Sequence, residues 1–112
     1  MRDKWRIEEG VFSEETLGKH EALMTQGNGY MGIRAGFEEE YAGQSRGFFI
    51  AGTYNRAGLN EVAELPNVAA ITAFEIIIEN ERFSLLKGKI HEYNFTLDMK
   101  TGELKRELVW EN

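Results

Sequence analysis

Tyr93-Asn-Phe-Thr-Leu-Asp-Met-Lys-Thr-Gly-Glu-Leu-Lys-Arg-Glu-Leu-Val-Trp110 decides the fold class. Tyr93, Phe95, Leu97 and Met99 alternate with Asn94, Thr96 and Asp98. A period of two gathers apolar side chains on one face only in a β-strand. Lys100-Thr-Gly-Glu103 then reads as a hairpin loop, with Gly102 at its left-handed position. Leu104, Leu108 and Trp110 return along the partner strand. That strand finishes two residues after Trp110 with no charged or covered edge, so a longer parent chain is expected.

Working outward, Thr25-Gln-Gly-Asn-Gly-Tyr-Met-Gly-Ile-Arg-Ala-Gly-Phe37 repeats the pattern, with Met31, Ile33, Ala35 and Phe37 on one face. Tyr30, Gly32, Arg34 and Gly36 fall on the other, where strand-interior glycines admit close approach by another group. Gly27-Asn-Gly29 has turn chemistry. Gly27-x-Gly29-x-x-Gly32 matches a dinucleotide fingerprint literally, but that motif requires a preceding strand and a helix opening after it. A strand pattern follows instead, so nucleotide binding is rejected.

Further strands are expected at Trp5–Glu8, at Gly47–Tyr54 (buried on both faces) and at Ala69–Ile78, which carries the β-branched run Ile76-Ile-Ile78. Glu79–Arg82 reads as a tight turn into Phe83–Leu85. Glu14–Met24 lacks a clean apolar face and reads as a connector with one helical turn. Asn55–Pro66 is a loop of about a dozen residues, long enough to have a role of its own. Glu38-Glu-Glu40 reads as a solvated loop. The sum is one all-β domain over 1–112, with six to eight antiparallel strands, little helix, and a sandwich rather than a closed barrel.

Composition bounds the function. With 42% hydrophobic residues a core is affordable, and a net charge of −6 without any basic stretch argues against nucleic acid and anionic membranes. There is no cysteine, hence no disulfide or thiolate chemistry. No apolar run resembles a signal peptide or a membrane span, and a cytoplasmic protein is expected. His20 and His91 have no partner at ligand spacing, and Ser13, Ser45 and Ser84 lie in no nucleophile elbow. Carboxylates are plentiful, yet sequence places no pair across a sugar. Asn94-Phe-Thr96 is a formal glycosylation acceptor within a strand pattern. Trp5, Tyr30, Tyr54, Tyr93 and Trp110 can either pack a core or stack on sugar rings. From the residues alone no catalytic or metal site is expected. The candidates for substrate contact are Tyr30, Arg34 and Tyr54, with Arg34 suited to a bidentate carboxylate on a neighbouring strand or domain.

Six segments in order carry a family resemblance: Trp5-x-Ile7, Thr25-x-Gly-Asn-Gly-Tyr-x-Gly-Ile-Arg34, Gly52-x-Tyr-Asn55, Glu64-Leu-Pro-Asn67, Leu97-Asp-Met-Lys100 and Gly102-x-Leu-x-Arg106. Together they resemble the N-terminal domain of glycoside hydrolase family 65, the maltose, trehalose and kojibiose phosphorylases. Ala22 stands where a serine is common and Met24 where an aromatic is common, which leaves the subfamily open. The resemblance implies an incomplete piece of a large β-sandwich that precedes an α/α-barrel catalytic domain. It also implies homodimers and phosphorolysis of α-glucobioses to β-glucose 1-phosphate, or hydrolysis in some relatives. General acid and phosphate site lie in the barrel, so no catalytic residue, metal or cofactor site is carried onto this chain, and inorganic phosphate enters only as co-substrate of the parent. A stand-alone carbohydrate-binding or structural sandwich is the second reading. A fragment of the first kind should expose apolar area where the missing parts sat.

Overall fold

The structure, a computed structural model, describes residues 3–112. Its frame is a three-stranded antiparallel sheet in the order β1-β7-β8, formed by Arg6–Glu9, Lys89–Asp98 and Glu103–Glu111. β7 and β8 are the expected hairpin. Asp98 faces Glu103, Gly102 takes a positive φ of 74°, and its N–H donates to the Asp98 carbonyl at 2.8 Å. The Asp98 carboxylate accepts the N–H groups of Lys100 and Thr101, so the loop's backbone donors are satisfied locally. A bulge between Ile90 and Glu92 shifts the register farther along.

The core lies on the apolar face of this sheet. Phe95 and Leu97 pack there with Leu17, Met24, Ala35, Phe37, Phe83 and Leu85, bordered by Leu104, Leu108 and Trp110. Phe37 meets Phe95 edge-on at 5.8 Å, and Phe83 meets Trp110 at 5.1 Å. The Trp110 indole N–H donates to the Lys87 carbonyl at 2.7 Å.

The 14–24 segment is more helical than its sequence promises: a 3₁₀ turn, Glu14–Thr16, runs into α1, Leu17–Leu23. Leu17, Glu21 and Met24 form its buried stripe at spacings of four and three. A glutamate at the centre of that stripe is what hid it.

The glycine-rich segment gives a second small sheet, β2-β3-β4, from Gln26–Gly27, Met31–Ile33 and Phe48–Ile50. The expected 30–37 strand stops at Ile33, because the Ala35 N–H leaves the ladder for the Glu21 carbonyl at 2.9 Å. Ala35 and Phe37 still reach the core. The 47–54 strand is likewise only Phe48–Ile50, and of those three residues only Phe48 is fully buried.

The largest departure is Ala69–Ile78, which is not a long strand. Only Ile77–Ile78 is extended, as β5, paired with β6, Glu81–Arg82. A strand needs a neighbour that takes its N–H and C=O groups in series, and residues 69–76 find only isolated partners: the Phe74 N–H donates to the Glu38 carbonyl at 3.1 Å and the Ile76 carbonyl accepts the Phe83 N–H at 2.8 Å. Glu79 and Asn80, at φ 51° and 66°, form the tight turn between β5 and β6, so Phe83 and Leu85 follow the hairpin into the core. The fold remains the expected antiparallel class with one short helix, 53 × 43 × 22 Å in extent.

Candidate functional site

Three features invite a functional reading: two buried charge clusters and a groove beside the second sheet.

The first cluster centres on Arg106 of β8. Its guanidinium donates to both Glu39 carboxylate oxygens at 2.7 Å and to Glu38 Oε2 at 2.7 Å, while lying 4.3 Å from the Phe37 ring centroid. Glu39 is 5% exposed. The Glu38–Glu40 run is therefore not a solvated loop, because two of its three carboxylates are held by one arginine. Burial works against the Arg106 charge, but the Glu39 hydrogen bond and the attraction of Glu39 and Glu38 outweigh it, raising the pKa.

The second cluster centres on Glu21, which is 2% exposed. Its Oε2 accepts from Arg34 Nη2 at 3.2 Å and from the Ser45 N–H at 3.3 Å, and its Oε1 accepts the Tyr41 hydroxyl. Arg34 Nε also donates to the Ser45 carbonyl at 3.0 Å. Burial, then the hydrogen bond to Glu21, pushes the Tyr41 hydroxyl far above the ordinary phenol range. Tyr93, beside the first cluster, is pushed up to about 12, chiefly by burial. Gly47 makes room for Arg34, since a Cβ there would lie 2.8 Å from Arg34 Cδ.

The groove has a volume of about 320 Å³. Met31, Ile33, Phe48 and Ile71 give it apolar walls, and Gln26 and Thr72 are among its polar groups. Asn67 ties the neighbouring loop to β4: its amide oxygen accepts from the Phe48 N–H at 2.8 Å and its nitrogen donates to the Arg46 carbonyl at 2.6 Å.

Of the sequence candidates, Arg34 does meet a carboxylate, but through one nitrogen and on the helix; the bidentate arginine is Arg106. Tyr30 and Tyr54 are exposed, and neither lines the groove or the cavities that Arg34 borders. Both histidines have acidic partners that sequence spacing did not reveal, His20 with Glu9 at 3.1 Å and His91 with Glu111 at 2.7 Å. Among the described residues no cluster of three or more His, Cys, Asp or Glu could hold a metal ion. No helix among them is long and apolar enough to cross a membrane.

Comparison with known proteins gives these features a context. The pattern of the glycosyl hydrolase family 65 N-terminal domain matches residues 7–112. A kojibiose phosphorylase of Halothermothrix orenii is 45% identical over 108 residues, covering 96% of this chain and 14% of its own length. The Escherichia coli K12 kojibiose phosphorylase is 47% identical over 105 residues, covering 93% and 13%. A solved structure described as a candidate kojibiose phosphorylase from the human microbiome superposes with a TM-score of 0.88 at 26% identity, over 98% of this chain and 16% of that one. The chain thus spans about one seventh of the length of the curated relatives it matches.

Proposed function

This chain belongs to the glycosyl hydrolase family 65 N-terminal domain family, and we propose that it is the β-domain portion of a disaccharide phosphorylase whose substrate is kojibiose. The observation that carries this reading is the 45% identity to a kojibiose phosphorylase over nearly the whole chain. Four kojibiose phosphorylases match at 36–47%, against 34% or less for the trehalose and maltose enzymes. In the proposed reaction inorganic phosphate attacks the anomeric carbon of the non-reducing glucose from the face opposite the glycosidic oxygen. The C–O bond to the second glucose breaks, its oxygen takes a proton from a general acid, and β-glucose 1-phosphate and free glucose leave. General acid and phosphate site belong to a catalytic barrel elsewhere in the polypeptide.

This chain's share is structural. Its deepest carboxylates, Glu21 and Glu39, are already bonded to Arg34 and Arg106, which favours scaffolding over proton transfer. We assign the domain no resident cofactor, and place the parent in the cytoplasm as a homodimer.

The test is to isolate, from source cells, the native polypeptide that carries this sequence and assay it with phosphate and kojibiose, trehalose or maltose. A product several times larger than 12.8 kDa that releases β-glucose 1-phosphate fastest from kojibiose is expected. Glucose 1-phosphate from the 112-residue chain alone, or no phosphorolysis of any of the three by the native product, would overturn the proposal.

A further inference from the structure

We infer that the groove floored by Gly27 and Gly32, together with the arm of residues 51–80, is the seat on which the rest of a phosphorylase-length polypeptide packs; the existence of that polypeptide rests on the function proposed above. The arm leaves the core after β4 and returns to it at Phe83. Along it Tyr54, Leu59, Val62, Ile71, Phe74, Ile77 and Ile78 are exposed, Leu59 by 87% and Val62 by 84%. Scattered apolar exposure is ordinary, but a run this long on one segment marks a surface meant to be covered.

The exposed area of the whole chain is also larger than a compact monomer of this mass requires. A compact monomer of 12.8 kDa is expected to expose about 6,300 Å². The chain exposes 8343 Å², an excess of about 2,000 Å². A stable complex of standard size buries about 800 Å² on each partner, so this excess suits a permanent interface. The radius of gyration tells the same story, at 16.6 Å against about 13 Å for a compact domain of this length.

Two further observations choose the occupant. The microbiome structure holds this fold over 98% of the present chain while the match takes up 16% of its own length, so there the arm's path coexists with a much longer chain. The arm also carries one arginine (Arg56) against four glutamates (Glu61, Glu64, Glu75, Glu79), a balance of 1 − 4 = −3. Arm against arm across a two-fold axis would bring like charges together, which disfavours a second copy. A covering segment with an apolar centre and a basic rim fits.

Gly27 and Gly32 mark where that segment comes closest. They face each other across β2 and β3, and neither has a positive φ. A Cβ at 32 would find its nearest neighbour at 3.8 Å, and one at 27 at 3.4 Å, so the chain's own packing does not demand glycine at either place. Glycine inside a strand is unfavourable by itself, and a flat floor admits a close approach from outside.

The test compares the isolated chain with the whole native polypeptide by amide hydrogen exchange. Amides of residues 51–80 should exchange about 100-fold more slowly in the whole polypeptide, with those of β8 much less changed. Gly32→Val should leave the isolated chain's melting temperature unchanged or raised and lower that of the whole polypeptide. Ile71→Asp, on the groove wall, should do the same. Equal arm exchange in both proteins would overturn the seat. So would arm protection that appears in the isolated chain as its concentration rises, with a dimer in sedimentation, because a second copy would then be the occupant. A Gly32→Val chain that melts lower even in isolation would show that the glycine serves the fold itself and would overturn its place in the seat. Arm protection in a polypeptide that phosphorolyses no glucobiose would leave the seat standing and remove the proposed activity.

Discussion

β7 and the 69–78 segment are written in the same alphabet and end as opposites. Both are rich in aromatic and β-branched residues, β7 in alternation and 69–78 ending in the run Ile76-Ile-Ile78. Residues Phe95–Leu97 of β7 lie between β1 and β8 and are fully buried, whereas 71–80 is exposed throughout. Strand propensity measures how well a side chain suits a pleated, half-buried surface, and cannot supply the neighbouring strand. Among the described residues β7 has a partner strand on each side, whereas the arm has only isolated backbone bonds to the rest of the chain, such as Val68 N–H to the Phe48 carbonyl and Phe74 N–H to the Glu38 carbonyl.

If the core half is held by contacts internal to this chain, cutting one should be costly. Arg106→Met has the largest expected effect. It strands Glu39 at 5% exposure, and breaking a buried pair from one side costs about 3–5 kcal/mol. Urea denaturation should show the loss as a lower midpoint. Adding Glu39→Leu to Arg106→Met should recover much of it, since an apolar replacement of a whole buried pair is often nearly neutral. A double variant as unstable as the single one would mean that Phe37 stacking, not charge pairing, is what Arg106 supplies.

Arg34→Lys comes next. An ammonium cannot hold both Glu21 and the Ser45 carbonyl with the fixed geometry of a guanidinium, and about 1–2 kcal/mol should be lost. In the whole polypeptide the melting temperature should fall while the Michaelis constant for the disaccharide holds. A raised Michaelis constant at unchanged melting would move Arg34 from the scaffold to the substrate.

The core half should also carry an alkaline signature. The Tyr93 hydroxyl sits at about 12 in the fold against an ordinary value of 10.0, so the native state holds its proton more tightly than the unfolded chain does. The associated stability is complete below pH 10 and is lost as pH rises through 12. Tyr41 adds a loss of the same sign. Stability measured from pH 9 to 11.5 should fall less steeply in Tyr93→Phe.

The contrast also explains what the sequence could and could not disclose. The β7–β8 hairpin was legible because its period, its loop glycine and its return strand all lie within twenty residues. The charge clusters were not, since Arg106 and Glu39 are 67 positions apart and nothing local connects them. One signal was available: Arg106 shares its parity with Leu104, Leu108 and Trp110, the inward side of β8, where a charge needs a buried partner. Helix α1 was obscured for the same reason, because Glu21 looks like a break in an apolar stripe until Arg34 and Tyr41 are brought to it. The arm departs from its sequence pattern for a different reason: local preference alone does not make a strand.

The smallest expected effects are in the arm, where the comparison is sharpest. Leu59 and Val62 are both more than four-fifths exposed, so Leu59→Ser and Val62→Thr remove almost no buried area from the isolated chain. Each should change its unfolding free energy by less than about 0.5 kcal/mol, the ordinary range for surface positions. Leucine to serine in a core would cost several times that. The same two substitutions in the whole polypeptide should lower its melting temperature, because there the side chains lose a covering surface. A loss in the isolated chain instead would mean that the arm folds back onto its own core, and the division between a self-sufficient half and a dependent half would fail.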